Sequence, residues 1–483
     1  MNLADVISDH DVGQLALIEG DQFITYGDLR SRIAVMQQSL AERGVTIGST
    51  VALASGNDPA FVASTIAILG LGGHVMPLNP ASPTAELIRT LDVAKPQMLL
   101  VGHAGRPYLD DDDIATPMVD LVALDAESAA VQADQPMTVV DRHDDDVAFY
   151  MPTSGTSGVA KVAMLSHGNL SFIHEAMQTL EPVISSSDVR LGVLPFSHIF
   201  GLNVVLMNSL RAGASIVLQQ RFDAGESLQL IREYGVTILS GAPPMWQRWA
   251  AAEGPDDSLA TIRHAASGAA ALPLGVFEMV RDRFGVEIKQ GYGLTETSPI
   301  VTAGRGGVPA RPSSVGQVLP GVEVALVDDQ GTPVDIGDEG EIVVRSPGVF
   351  LGYLDDIATT DSMLTEDGWL WTGDVGIFDE DGFLYLVDRI KDIVIVSGFN
   401  VYPAEVENAL MLHPGVSGAI VTGTADEMTG ETVVAHVTGT ATHEELDAHI
   451  AKHLSRYKRP TAYHFLDELP IAPSGKAIRR ALR

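Results

Sequence analysis

The chain has 483 residues, 46% of them hydrophobic, which suits a globular protein with more than one hydrophobic core and therefore two or more domains. Asp and Glu number 63 against 30 Lys and Arg, and the resulting net charge of −33 disfavours nucleic acids and anionic membranes as partners. The absence of cysteine excludes disulfides, cysteine metal sites and a catalytic thiol.

The N-terminus lacks the basic and apolar segments of a secretory signal. The longest apolar run, residues 61–73, is too short to span a bilayer, so it predicts a buried helix that runs into a strand. We therefore expect no integral membrane segment and a cytoplasmic location.

Apolar β-rich runs alternate with helical patterns through roughly the first 300 residues. This alternation predicts a parallel α/β fold. A helix is predicted near Pro59–Leu69, and the buried strands are predicted at Thr50–Ala54, His74–Pro77, Val147–Met151, Val189–Leu194, Ser215–Gln219 and Val236–Leu239.

The pattern changes from about residue 311, where turns become frequent and strands shorten, which predicts a β-rich subdomain over about 311–390. A small α/β unit follows, with helices predicted at Pro403–Met411 and from about His443 to Leu454. We place the domain boundary near Lys391, so that residues 1–390 form the N-terminal domain and residues 391–483 the C-terminal domain.

A stretch rich in Gly, Ser and Thr, Thr153–Lys161, directly follows a predicted strand. Gly155 and Gly158 allow the backbone to approach phosphate oxygens, the hydroxyls add donors, and Lys161 adds charge. The stretch lacks the Gly-Lys-Ser/Thr sequence of a Walker loop. It indicates an anion-binding loop, with a flexible linker as the alternative.

Acidic residues follow glycines in two later segments. Glu296, between two threonines in Gly291–Thr297, suits Mg²⁺, and Tyr292 could stack on a nucleobase. Asp374 could accept both hydroxyls of a ribose, and Arg389 could donate to a ribose or a phosphate.

A histidine and a lysine complete the candidate set. His198 lies in an apolar stretch, where a role in lining a pocket competes with a role in the core. Lys476 lies on a Gly-containing loop close to the C-terminus and is one of the few lysines of the chain.

In their order and spacing these motifs resemble those of the adenylate-forming superfamily, which includes acyl-CoA synthetases, peptide-synthetase adenylation domains and firefly luciferase. The resemblance runs nearly end to end and is strongest to fatty-acid or aryl-acid CoA ligases. It is carried by Thr153–Lys161, Ser267–Ala270, Gly291–Thr297, Thr372–Asp374, Asp388–Asp392 and Pro473–Lys476.

The resemblance implies an α/β enzyme with a large N-terminal domain and a small mobile α+β C-terminal domain that rotates about Lys391. ATP and a carboxylic acid would first give an acyl-adenylate and pyrophosphate, and a thiol would then take the acyl group. Lys476 would bridge the carboxylate and the α-phosphate, with His198 and Glu296 as further catalytic residues and Thr156 and Glu296 at Mg²⁺.

The same resemblance implies a nucleotide site and a tunnel for coenzyme A at Gly398 and Phe399. The residues expected to bind the nucleotide are Thr153, Ser154, Gly155, Thr156, Ser157, Gly158, Lys161, Ser267, Gly268, Ala269, Ala270, Gly291, Tyr292, Gly293, Thr295, Asp374, Leu386 and Arg389.

Amino-acid-activating relatives usually carry Phe-Asp where this chain has Phe196-Ser-His198, which disfavours an amino acid as substrate. The matching pocket segments are mostly apolar, so we expect an uncharged fatty or aryl tail. The residues expected to line the pocket are His198, Phe200, Met245, Trp246 and Ala269.

Coenzyme A is the expected acceptor, because Val396–Pro403 resembles the stretch found in acyl- and aryl-CoA ligases. Tyr457–Pro460 offers cations for its phosphates, or is simply a solvated basic patch. A free carrier protein is the alternative acceptor, and a non-catalytic acyl- or nucleotide-binding protein is the alternative of another class. The latter is favoured only by departures from the family pattern at Pro152, Ala160 and Val162. The sequence leaves the oligomeric state open.

Overall fold

A computed structural model describes residues 1–110, 112–130, 136–153, 161–304, 307–397, 399–426, 429–472 and 477–482. Three β-sheets organise this part of the chain. None of its helices combines the length and the apolar character needed to cross a bilayer.

In the described part of the chain, thirteen strands lie between residues 15 and 292, and all but the second and the eighth have a parallel neighbour. In chain order they are β1 (Leu15–Glu19), β2 (Gln22–Thr25), β3 (Thr50–Ala54), β4 (His74–Leu78), β5 (Met98–Val101), β6 (Met118–Asp120), β7 (Val147–Thr153), β8 (Lys161–Ser166), β9 (Val189–Gly192), β10 (Ser215–Leu218), β11 (Ile238–Gly241), β12 (His264–Ser267) and β13 (Ile288–Tyr292).

Helices cover these strands, and a π-helix, Phe200–Met207, directly precedes the sixth α-helix. In chain order the α-helices are α1 (Tyr26–Glu42), α2 (Pro59–Gly70), α3 (Thr84–Ala94), α4 (Leu121–Ala130), α5 (His167–Gln178), α6 (Asn208–Ala212), α7 (Ala224–Tyr234), α8 (Pro243–Ala251) and α9 (Leu274–Phe284).

The remaining elements are mainly short strands. They are β14 (Thr302–Ala303), β15 (Ser314–Val318), β16 (Glu323–Val327), β17 (Gly340–Arg345), α10 (Ile357–Met363), β18 (Leu370–Phe378), β19 (Phe383–Arg389), β20 (Val394–Val396), β21 (Phe399–Val401), α11 (Pro403–Met411), β22 (Val416–Asp426), β23 (Gly430–Gly439), α12 (His443–His453) and β24 (Ala462–Phe465).

A six-stranded sheet has the order β6-β5-β3-β4-β7-β8 and is parallel except for the last pair. A thirteen-stranded sheet has the order β16-β17-β18-β19-β15-β14-β13-β12-β11-β9-β10-β1-β2. Within it β13 pairs parallel with β12 and antiparallel with β14, so this strand joins a parallel half to an antiparallel half. The predicted α/β class and the β-rich character after residue 311 are confirmed.

Strands β20–β24 form a separate five-stranded sheet, which packs with α11 and α12 around its own apolar core. Helix α11 has the predicted bounds, whereas β11 begins at Ile238, two residues after the predicted Val236. The predicted domain boundary near Lys391 falls in a short 3-10 helix, Ile390–Asp392, between β19 and β20, and it stays a prediction.

Helix α2 is buried along its whole length, because it lies in the largest apolar core cluster with α1 and strands of both large sheets. Asp58 caps its N-terminus by accepting from the Phe61 N–H at 2.7 Å. The apolar run at residues 61–73 is therefore a buried helix that leads into β4, as predicted. Because this helix is surrounded by protein, it needs no polar face toward solvent.

A chain of buried polar groups joins helix α5 to the π-helix. His174 Nε2 lies 2.7 Å from Asn203 Oδ1, and Asn203 Nδ2 donates to the Ser298 carbonyl at 2.7 Å. All three residues are fully buried. The burial of His174, more than the nearby charge of Arg211, lowers its pKa to about 4 from the ordinary 6.5.

This lowered pKa makes the stability of the fold depend on pH. As the pH falls below 6.5, the unfolded chain protonates His174 while the folded protein keeps it neutral down to about pH 4. The free energy of unfolding therefore decreases across this window, by roughly 1.4 kcal/mol per pH unit from this residue alone.

We expect His174→Gln to show a smaller loss of stability than the parent between pH 7 and pH 5, by about 2 kcal/mol, in urea unfolding. The exposed His143→Gln is the control and should behave like the parent. An unchanged pH dependence in His174→Gln would contradict this account.

Candidate active site

The predicted motifs emerge at one edge of the thirteen-stranded sheet. Strands β9, β11, β12 and β13 run parallel, so their carboxyl ends point the same way. The segments that follow them carry His198, Met245, Ser267–Ala270 and Glu296. Ligand sites of parallel α/β sheets form at this edge.

Asp374 is the centre of a buried polar cluster. The Tyr292 hydroxyl donates to its Oδ2 at 2.8 Å, and Arg389 Nε lies 2.8 Å from its Oδ1. Asp374 and Arg389 face each other as register partners on β18 and β19. Burial, and then the charge of Asp374, raises the pKa of Tyr292 well above its usual value, so Tyr292 stays a hydroxyl donor.

The backbone before Asp374 is held in an unusual conformation. Gly373 has a φ of 71°, which favours glycine, and its N–H donates to Glu341 Oε1 at 3.0 Å. The Asp374 N–H donates to the Thr372 hydroxyl at 3.1 Å. Glu341 was not predicted, because it lies 32 residues from Gly373 and no local pattern joins the two.

A second cluster joins Glu296, Tyr353 and Lys161. The Tyr353 hydroxyl donates to Glu296 Oε1, and Lys161 Nζ lies 5.3 Å from the centre of the Tyr353 ring. Residues 351–354 run beside β8, with hydrogen bonds to Met164 and Val162, which sets Tyr353 between the other two side chains. Tyr353 was not predicted as a site residue, because it belongs to none of the sequence motifs.

Glu296 is suited to bind a Mg²⁺ ion whose other ligands include a phosphate. Thr295 and Thr297 flank it in a 3-10 helix, Thr295–Thr297, and its side chain is partly exposed. No group of three or more His, Asp or Glu residues able to hold a metal occurs in the described part of the chain. One carboxylate fits Mg²⁺, which keeps waters and takes its other ligands from phosphates.

The segment that carries His198 is held by an asparagine from the other large sheet. Asn57 Nδ2 donates to the carbonyls of Gly192 and Leu194 at 2.9 Å, and the Phe196 N–H donates to Asn57 Oδ1 at 2.9 Å. Asn57 is buried, and His198 is half-buried. Asn57 was not predicted and is a positioning residue for this segment.

Ser267–Ala270 follows β12 and packs beside the π-helix. A Cβ added to Gly268 would lie 3.1 Å from the Phe200 ring, so a larger residue would require this ring to shift by a few tenths of an ångström. Ala269 has a φ of 71°, and a non-glycine residue in this region costs on the order of 1 kcal/mol or more. Such strain is typical of ligand sites.

Met245 and Trp246 lie in the first turn of helix α8, at the same edge of the sheet. Trp246 is completely buried, and its Nε1 donates to the carbonyls of Gly241 and Ala266 at 3.2 and 3.3 Å. Met245 is partly exposed and contacts the cores on both faces of the sheet. The assignment of Phe200, Met245 and Trp246 to an acyl pocket stays a prediction.

An open cleft of about 360 Å³ lies between the antiparallel half of the sheet and the C-terminal unit. Leu386, expected at the nucleotide, lines it together with Ala271 and Gln290, and Tyr402 and Lys458 form the opposite wall. The Tyr402 hydroxyl donates to Glu339 across the cleft. Phe399 is 57% exposed and packs against Tyr457, so its place in a tunnel stays a prediction.

Several predicted residues lie outside the described part of the chain. The two ends of the predicted phosphate loop, Thr153 and Lys161, are register partners on β7 and β8. Val162, one departure from the family pattern, is a fully buried strand residue. The predictions that fall outside the described residues concern Ser154, Gly155, Thr156, Ser157, Gly158, Ala160, Gly398, Lys476 and the side chain of Lys391.

Models of two protein families match the chain. The AMP-binding enzyme model matches residues 6–354, and the AMP-binding enzyme C-terminal domain model matches residues 405–476. The chain is 32% identical to 4-coumarate–CoA ligase 2 of Nicotiana tabacum, over 96% of this chain and 89% of that protein.

Solved structures agree with this match. ATP-bound MatB from Rhodopseudomonas palustris is 29% identical, with a TM-score of 0.92 over 100% of this chain and 98% of that one. The apo form of MatB gives 0.82, so the chain adopts an arrangement closer to the ATP-bound form. The o-succinylbenzoate CoA synthetase from Bacillus subtilis with its acyl-adenylate is 29% identical, with a TM-score of 0.88 over 100% and 98%.

The hydrogen bonds of Asn57 allow a test of how this edge is held. Asn57→Asp would turn a carboxylate oxygen toward the two carbonyls that now accept from Nδ2. We expect the free energy of unfolding to fall by about 2 kcal/mol or more, because a buried acceptor would face two other acceptors.

Chemical unfolding measures this loss, and the exposed Asn408→Asp on α11 is the matched control, expected within about 0.5 kcal/mol of the parent. Equal stability of the two variants would show that Asn57 does not hold the His198 segment.

Proposed function

The chain belongs to the family of AMP-binding enzymes, and we propose that it is an AMP-forming acid–CoA ligase. In the first half-reaction a carboxylate oxygen attacks the α-phosphorus of ATP, giving the acyl-adenylate and releasing pyrophosphate. In the second the thiol of coenzyme A attacks the acyl carbon, loses its proton and displaces AMP.

The observation that carries this proposal is the Asp374 cluster at the carboxyl edge of the sheet. Oδ2 of Asp374 accepts a hydrogen bond from Tyr292 and Oδ1 forms an ion pair with Arg389, so each oxygen has a further lone pair for a ribose hydroxyl. Arg389 adds a positive charge beside the same sugar. Leu386, three residues before Arg389 on β19, lines the open cleft and is assigned to the nucleotide as well.

We assign the phosphates to Lys161 and to the Thr153–Lys161 segment, with Mg²⁺ on Glu296 and Thr156. When bound, Mg²⁺ neutralises charge on the phosphates. Tyr353 holds the Glu296 carboxylate and lies beneath the Lys161 ammonium, so it orients both groups. A solved structure of the 28% identical synthetase from Bacillus subtilis contains ATP and a magnesium ion, which supports ATP and Mg²⁺ as ligands of this chain.

Bringing a carboxylate to a triphosphate requires positive charge, because both reactants are anions. Lys476, on the C-terminal unit, and Lys161 would supply it. His198, on the segment held by Asn57, would line the path of the acid. Lys391 would act as the hinge between the half-reactions.

Coenzyme A is the proposed acceptor, with Gly398 and Phe399 along its path. The named activities of the relatives support this choice over a carrier protein. In the basic segment 457–460, Lys458 Nζ lies 2.7 Å from both oxygens of Glu405, so its charge is already partly neutralised. We therefore expect the phosphates of coenzyme A to be bound more by the other residues of this basic segment than by Lys458.

An aryl acid is the proposed substrate class, with a fatty acid second, because a relative 32% identical is named for 4-coumarate. The direct test is incubation with Mg-ATP and a panel of aryl, fatty and dicarboxylic acids, with and without coenzyme A, and identification of products by mass. An acyl-CoA product supports the proposal. ATP binding without pyrophosphate release for any acid would favour a non-catalytic binding protein, and acyl-AMP that persists with CoA would favour a carrier protein.

The role of Lys476 separates the two half-reactions. We expect Lys476→Ala to lower adenylate formation by about 10²–10³-fold or more, because one preorganised charge at developing negative charge is worth that much. Thiolysis of a preformed acyl-adenylate by coenzyme A should persist. Both rates can be measured in single-turnover experiments.

The exposed Lys452→Ala, on the C-terminal helix α12, is the control and should leave both rates unchanged. An equal loss of both half-reactions in Lys476→Ala would remove Lys476 from this role.

A further inference from the structure

The turn that carries Glu296 closes on itself. It runs from Gly293 to Pro299, and a Cβ added to Gly293 would overlap the Pro299 carbonyl oxygen, so the two ends of the turn lie in contact. Glu296 lies in the middle of this turn, in the 3-10 helix Thr295–Thr297. The position of the Glu296 carboxylate therefore depends on how the turn is held by the rest of the protein.

One anchor of the turn is the segment that contains Tyr353. The Glu296 carbonyl accepts from the Phe350 N–H at 2.9 Å, and the Tyr353 hydroxyl donates to the Glu296 carboxylate. Both contacts come from residues 350–353. This anchor holds Glu296 itself, and a second anchor holds the end of the turn.

The second anchor is Asn203, in the π-helix. Its Nδ2 donates at 2.7 Å to the carbonyl of Ser298, the residue that directly follows the 3-10 helix. Ser298 has a φ of 64°, a left-handed conformation that a residue other than glycine keeps only where its surroundings hold it. The hydrogen bond from Asn203 therefore fixes the direction in which the chain leaves the turn.

His174, on α5, sets the orientation of the Asn203 amide. Because the Ser298 carbonyl can only accept, the amide nitrogen faces Ser298 and the amide oxygen faces His174. His174 Nε2 lies 2.7 Å from that oxygen, so this nitrogen of the ring carries the hydrogen. All three residues are fully buried, and solvent does not compete for these hydrogen bonds.

Asn203 lies in a backbone element that is itself unusual. The Asn208 N–H donates to the Asn203 carbonyl, five residues back, where an α-helix would use a carbonyl four residues back. Such π-helical turns are rare and frequently lie at functional sites. The same helix begins at Phe200, so Asn203 joins the segment expected to line the acyl pocket to the turn that carries Glu296.

We propose that Asn203 is a positioning residue for the Mg²⁺ site: by holding the Ser298 carbonyl it presents the Glu296 carboxylate to the Mg²⁺ of Mg-ATP. Because Asn203 is fully buried, it acts through Glu296. This inference rests on the proposed ligase function and adds a residue to its metal site. Loss of Asn203 should weaken the contribution of Mg²⁺ and leave the binding of the acid unchanged.

Binding of ATP with and without Mg²⁺ tests this directly. Asn203→Leu removes both hydrogen bonds of the amide at a similar side-chain volume. We expect the gain in ATP affinity on adding Mg²⁺, measured by calorimetry, to fall by about 3–10-fold, the range for one hydrogen bond. The affinity for ATP in EDTA should be unchanged.

Asn208→Leu is the matched control. Asn208 is also fully buried and lies at the start of α6, but its amide contacts Met177 at 3.8 Å. We expect this variant to show the parental gain in affinity.

Kinetics and a double mutant identify the route by which Asn203 acts. In acid-dependent pyrophosphate release, Asn203→Leu should raise the KM for Mg-ATP and leave the KM for the acid unchanged. In a Glu296→Gln background, Asn203→Leu should cause no further loss of the Mg²⁺-dependent gain, because both residues act through one carboxylate.

A folded Asn203→Leu with the parental gain, or its full additional loss in the Glu296→Gln background, would overturn the inference and leave the ligase function standing. A parent that forms acyl-adenylate but binds ATP equally with and without Mg²⁺ would overturn it as well. Thermal unfolding establishes that each variant is folded. If Asn203→Leu is not, Asn203→Ser decides the matter, because its hydroxyl lies one bond short of the amide nitrogen. Absence of pyrophosphate release with every acid in the parent would instead be the failure of the proposed function.

Discussion

The buried Asp374 carboxylate is the interaction on which the rest of the site depends. It accepts from Tyr292, at the end of the last parallel strand, and it pairs with Arg389, at the end of β19. One carboxylate therefore ties the parallel half of the sheet to the antiparallel half. The Arg389 side chain is 38% exposed, so solvent screens this ion pair, whereas the hydrogen bond from Tyr292 is buried.

The same strand pair connects the site to the C-terminal unit. Asp388, next to Arg389, accepts from the Ala404 N–H at 2.8 Å and so lies at the N-terminus of helix α11. Arg479 Nη2 lies 2.7 Å from Glu407 of this helix, and its Nη1 lies 3.7 Å from Asp392. Two adjacent residues of β19 therefore contact the two sides: Arg389 contacts Asp374, and Asp388 contacts the C-terminal unit.

The sequence allowed much of the fold to be predicted, because its signals are local. Apolar runs with the periods of strands and helices located β3, α2 and β16. Asp374 and Arg389 were each singled out in the sequence, but their ion pair was not predicted.

The features that were not predicted depend on contacts between segments that are distant in the sequence. Asn57 forms hydrogen bonds with residues about 140 positions away in the sequence, and Tyr353 donates to Glu296, which lies 57 positions away. Arg190 lies inside a strand that was predicted to be buried, yet only the structure shows that it donates to the Val204 carbonyl and the Ser240 hydroxyl. Side chains of this kind carry no periodic signal, so their partners cannot be predicted from the sequence alone.

The central claim is that the carboxyl edge of the sheet forms an acyl-adenylate before any thiol arrives. The most direct measurement is incorporation of labelled pyrophosphate into ATP with Mg²⁺ and an accepted acid, in the absence of coenzyme A. The account predicts exchange that requires the acid and does not require coenzyme A. Exchange that appears only with coenzyme A, for an acid that is converted to its thioester, would contradict it.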